Sequence, residues 1–133
     1  MVLTPANIDF LLVQGNAIYK GSDWEITVNI SDITDGVETP IDLTGYTGEC
    51  NIRKTTLDTD PLVASPLVTI DDPTNGCLTL SLTASETETI PATGATYSEV
   101  ERYQYEVKLT DLSGEVQRVM HGYVEVSPTA IKE

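Results

Sequence analysis

Residues 103–126 read YQYEVKLTDLSGEVQRVMHGYVEV, and this stretch decides the fold. Tyr103, Tyr105, Val107 and Leu109 alternate with Gln104, Glu106 and Lys108, the period-two pattern of a strand with one face in a core. Asp111-Leu112-Ser113-Gly114 supplies turn chemistry, and a second β-branched run returns from Val116 to Val126. The two runs form a long hairpin against which the rest of the chain packs. The second run is less regular. Val116, Met120, Val124 and Val126 share one phase with Arg118, while Val119 and Tyr123 occupy the other. Either a partner covers its outer face, making Val119 and Tyr123 contact residues, or the strand bulges near Gly122.

Working outward, the remaining segments are also strands. Trp24, Ile26, Val28 and Ile30 alternate with Glu25, Thr27 and Asn29, and Trp24, the single tryptophan, is expected to anchor the core. A strand running from Tyr46 to about Lys54 follows Asp42-Leu43-Thr44-Gly45. Leu67 to Ile70 and Cys77 to Leu82 flank the turn Asp72-Pro73-Thr74-Asn75-Gly76. Thr83-Ala84-Ser85-Glu86 is a capping box opening one short helix near residues 84–90, which Pro91 ends. Residues 32–40 and 55–66 read as polar loops. Ile8, Phe10 and Leu12 alternate in a possible first strand. Seven or eight strands and one helix predict an all-β, antiparallel immunoglobulin-like β-sandwich, with a small barrel as the alternative. The Cys–Trp–Cys core of antibody domains is missing.

At 133 residues the chain is expected to be one domain: an N-terminal arm or first strand over 1–13, the sandwich over 14–128 and a tail over 129–133. Lys and Arg number 7 against 21 Asp and Glu, a formal net charge of −14. Such a surface repels nucleic acid and anionic membranes; it keeps a protein soluble and attracts cations or a basic partner. With no signal peptide and no membrane-length apolar run, the chain is expected in a cytoplasm. Cys50 points inward with Ile52, whereas Cys77 opposes the buried phase of Leu78, Leu80 and Leu82, so two free thiols are expected rather than a disulfide.

Catalytic material is sparse. His121 is the one histidine, on a strand, and reads as structural; no nucleophile elbow or phosphate loop accompanies it, so no enzyme is expected. Calcium is the one cofactor considered. Asp32, Asp35 and Asp42 flank one loop, and Asp71, Asp72 and Asn75 occupy another, offering the oxygen ligands a hard cation needs. The same residues are ordinary turn formers, and the spacing matches no EF-hand. Tyr97 and Tyr123 are the aromatics available for a glycan; Tyr19, Tyr46, Tyr103 and Tyr105 read as core or sheet edge.

Several segments, taken in order, resemble a phage structural domain found at the N-terminus of baseplate upper proteins and in related small head and tail proteins. They are Gly21-Ser22-Asp23-Trp24, Asp42-Leu43-Thr44-Gly45-Tyr46 with Ile52-Arg53, and Gly76 before Leu78, Leu80 and Leu82. Thr87-x-x-Ile90-Pro91, Tyr103-x-Tyr105-Glu106-Val107 and Gly114-x-Val116-x-Arg118-Val119-Met120-x-Gly122-x-Val124-x-Val126-x-Pro128 follow, so the match spans about residues 21–128. The resemblance implies an immunoglobulin-like building block of the virion, made in the host cytoplasm, with no catalytic residues. Its partners would be further copies and a major capsid, baseplate or tail protein. Residues 92–101 depart from the short Pro-Gly connection usual there. The chain also stops soon after its last strand, which favours a capsid cement or decoration protein over a baseplate protein. An adhesin-like or carbohydrate-binding module is the competing reading. Contacts are assigned to the N-terminal arm through Phe10, Leu11, Leu12 and Val13. Gly45 and Gly114 are expected at turns needing φ freedom, and Arg53 and Arg118 in cross-strand ion pairs.

Overall fold

A one-residue irregularity in the last strand resolves the conflict in its pattern. In the computed structural model, which describes residues 5–57 and 59–131, β10 (Glu101–Thr110) pairs antiparallel with β11 (Val116–Ser127). Val107 faces Met120 but Lys108 faces Arg118, so Val119 is the extra residue of a bulge. The bulge lies there and not near Gly122. Its effect is to turn both Val119 and Met120 inward while Arg118 and Val116 stay exposed. Gly122 serves a different purpose, since a Cβ there would sit 2.2 Å from the Ile8 carbonyl oxygen. Its missing side chain lets the N-terminal segment lie against β11.

That segment completes the larger sheet. β1 (Ala6–Asn7) and β2 (Ile18–Tyr19) both run parallel to β11, with Phe10 bridging to Val124 between them. A 3-10 turn at Leu12–Gln14 separates the two short strands. On the other side of β10 lie β6 (Thr47–Arg53) and the edge strand β7 (Leu62–Ala64), giving the order β1-β11-β10-β6-β7. The second sheet has the order β3-β9-β8, from β3 (Trp24–Asn29), β8 (Leu67–Asp72) and β9 (Cys77–Leu82). The inner faces share one core in which Trp24, Leu78, Leu80 and Leu82 meet Cys50, Ile52, Tyr105 and Val107.

This is an all-β, antiparallel immunoglobulin-like sandwich, with a displaced first strand. The usual first strand flanks the second, in the sheet of the fourth and fifth; here it flanks the last strand instead. The expected helix α1 (Ala84–Glu88) forms the crossover between β9 and β10, and Thr83 and Glu86 cap each other as the sequence predicts. Tyr103 donates its hydroxyl to the Pro91 carbonyl, pinning that crossover to the start of β10.

Two expected loops contain strands. Residues 32–40 belong to a hairpin of β4 (Ser31–Thr34) and β5 (Val37–Pro40), closed by Asp35 and Gly36 at φ 53° and 78°. Two successive positive φ angles are what a two-residue loop of this hand requires. Alternation is hard to see there because both faces are largely open to solvent. Residues 55–66 likewise contain β7, short enough to escape pattern reading. Cys50 and Cys77 are free thiols, buried and half-buried respectively.

Candidate interaction surface

The two loops considered for calcium, Asp32, Asp35 and Asp42 in one and Asp71, Asp72 and Asn75 in the other, do not gather three acidic side chains at one point. Their oxygens are engaged locally. Asp42 accepts from the Thr44 hydroxyl at 2.6 Å and its amide at 3.0 Å, bonds that hold its carboxyl below the usual range. Asp72 accepts from Asn75 at 2.8 Å, Asp71 accepts from the Thr79 hydroxyl, and Asp32 accepts from Thr34 at 3.1 Å. Asp35 occupies the hairpin turn. Among the described residues no three acidic, histidine or cysteine side chains converge on one point. Turn chemistry accounts for these positions.

The N-terminal contact residues separate by burial. Phe10 is 1% exposed, with its ring centroid 5.6 Å from that of Trp24 and 4.9 Å from that of Tyr105. It is a core residue and is not available to a docking arm. Leu11 and Leu12 are half-buried, and Val13 is 90% exposed. Main-chain bonds hold the segment down: Ile8 N to His121 O at 3.0 Å, Phe10 N to Tyr123 O at 2.8 Å, and Glu125 N to Phe10 O at 2.9 Å. Residues 1–4 of the expected arm lie outside the described residues.

Val119 likewise moves from the contact set to the core, at 4% exposed, because the bulge rotates it inward; Tyr123 stays 43% exposed. Around Tyr123 the outer face of the larger sheet forms a concavity of about 660 Å³, reached by Asn51, Arg53, Gln104, Lys108, Arg118 and His121. Arg118 pairs with Glu106 across the strands at 2.9 Å, and Lys108 approaches the same carboxylate at 3.4 Å. Arg53 instead donates to the Asp60 carbonyl at 2.9 Å, so its expected carboxylate partner is replaced by backbone. Arg102 lies 5.2 Å from the Tyr123 ring and binds Glu125 at 2.8 Å. Burial raises the Glu125 carboxyl, but bonds from Arg102 and the Leu12 amide, with the Arg102 charge, outweigh it and hold the group below its ordinary value. Beneath this face the Cys50 thiol is pushed up to about 12 by burial and by Glu106, which leaves it protonated and unreactive.

Two further surfaces were not legible in the sequence. The β4–β5 hairpin pairs with neither sheet, with Ile33 69% and Val37 63% exposed. Where it leaves β3, a groove of about 450 Å³ runs between the hairpin, β3, β1 and the bulge, lined by Ile8, Val28, Ile30, Ile33, Val119 and Met120 among others. At the opposite end Tyr19 and Tyr97, 44% and 65% exposed, wall a shallower groove of about 420 Å³ that also includes Pro128 and Ile131. The hairpin's Ile33 and Val37 stand singly among polar and turn-forming residues, and the grooves join segments remote in sequence.

No family model matches the chain, and no curated protein matches it. A solved structure titled "Structure or murine CRIg" is similar over 97% of this chain and 97% of its own, at 10% identity and a TM-score of 0.36.

Proposed function

We propose that this chain is a non-enzymatic protein–protein interaction module, and specifically a structural component of a bacteriophage virion, of the cement, decoration, baseplate or tail kind. The observation that carries the interaction reading is the projecting β4–β5 hairpin. A two-stranded ribbon has little stability of its own, and this one leaves Ile33 open to water on one face and Val37 on the other, so a partner covering either face would stabilise it. The virion assignment is supported by the ordered segments of residues 21–128 that resemble the phage domain. Several fall at positions with a structural purpose here: Gly45 and Gly114 at φ 82° and 89°, Arg118 in its ion pair, and Gly122 beneath Ile8.

The test is mass spectrometry of purified particles from the phage or prophage that encodes the chain, together with the identity of the flanking genes. Stoichiometric presence beside capsid, portal or tail genes is the expected result. Absence from particles, with neighbours of another kind, overturns the virion role. The groove walled by Tyr19 and Tyr97 favours a second reading, a glycan-binding module, because sugars stack on exposed aromatic rings. A glycan array showing binding that Tyr97→Ala abolishes is what that reading requires.

A further inference from the structure

We propose that the free edge of β3 and the groove beside it receive an extended strand from a different protein, one alternating apolar residues with lysine or arginine. The inference rests on the interaction reading above and names the kind of partner. Among the described residues, β3 pairs with β9 alone, because the segment that would ordinarily flank it runs along β11. A six-residue strand therefore keeps one row of backbone donors and acceptors unpaired. Edges left open in soluble proteins are usually blunted by lysine, proline or a bulge. The run Trp24–Asn29 contains no lysine or proline and keeps an unbroken register with β9.

The core is also uncovered at this edge. Ile26 and Val28 share the inward phase of Trp24 and Ile30, which are 6% and 9% exposed, yet both remain half-buried. The groove adjoins Val28, and the alternate side chains of an added strand would fill it, as in other cases of strand addition. Charge selects the occupant. Asp32 and Glu38 line the groove, Glu25 projects from the outer face of β3, and among the described residues no Lys or Arg lines the groove. A second copy brings a net charge of −14 to this acidic rim and is repelled, whereas a strand carrying cations at its solvent-facing positions is attracted.

The experiment titrates the full chain, by NMR, with synthetic peptides of about eight residues alternating Val or Ile with Lys. Peptides of the same composition in block order are the control. The expected result is new amide protection along residues 25–29, methyl shifts at Ile26, Val28 and Val119, and binding that weakens with salt. Glu38→Lys, an exposed change that leaves the fold intact, should weaken binding about fivefold. The proposal is overturned by equal binding of block-order peptides, by protection confined to another surface, or by β3 amides already protected in the free chain. It is equally overturned by concentration-dependent protection without peptide, which would assign the edge to a second copy. The readout is binding at one edge, so its failure removes the strand slot whether or not the chain is found in particles.

Discussion

Replacing Phe10 with alanine separates an N-terminal arm from an N-terminal core strand. Phe10 is 1% exposed and its ring meets Trp24 edge-to-face and Tyr105 at a tilt, so truncation removes a fully buried ring and leaves a void where the two sheets meet. Phe→Ala changes in cores cost about 3–5 kcal/mol, and the lost edge-to-face and tilted ring contacts place this site toward the upper end. An unfolding entropy of about 2.1 cal/mol/K per residue gives about 0.28 kcal/mol/K for a chain of 133 residues. Phe10→Ala should therefore lower the melting temperature by roughly 11–18 °C in reversible melts followed by near-ultraviolet circular dichroism. Val13→Ala, at a position 90% exposed, should leave it within about 2 °C. A Phe10→Ala melt as mild as that of Val13→Ala would refute the placement of this segment in the core.

Two further outcomes follow from the same edge of the sheet. The Glu125 carboxyl is held below its ordinary value of 4.5, so its stabilising contribution is present at neutral pH and is lost as pH falls through the folded value. Glu125→Gln should thus be less stable than the parent at pH 7 and approach it in acid, in urea titrations across that range; a constant gap would refute the assignment. Gly122→Ala would drive a methyl group against the Ile8 carbonyl, lifting β1 at a cost of about 1–3 kcal/mol. Hydrogen exchange at the Ile8 and Phe10 amides should speed up; unchanged exchange would mean that the close approach is not needed.

Much of the fold is legible in the chain because strands with one buried face write alternation into it. The Tyr103–Leu109 and Trp24–Ile30 patterns, the Thr83 capping box and the opposed phases of Cys50 and Cys77 are all of this local kind. What escapes is decided between segments. The bulge at Val119 is set by which residue of β10 each neighbour faces, whereas sequence alternation alone leaves a choice between a covered outer face and a bulge near Gly122. Asp32, Asp42 and Asp72 look alike whether they bind an ion or close a turn, since both uses need short carboxylates next to flexible backbone. The open edge of β3 follows from where residues 6–19 run, a choice fixed by a contact with residues more than a hundred positions away.

That same parallel run has a mechanical consequence. Tension applied through the two ends of the described chain pulls β1 and β11 along their lengths in opposite directions. The bonds from Ile8, Phe10, Glu125 and Lys20 then bear load together, in shear, and do not open one at a time like a zipper. Unfolding under force is governed by the rate of crossing the unfolding barrier, and a clamp of bonds that must break at once raises that barrier. Pulled between the ends of its described residues, the sandwich would therefore resist along β11 as a unit.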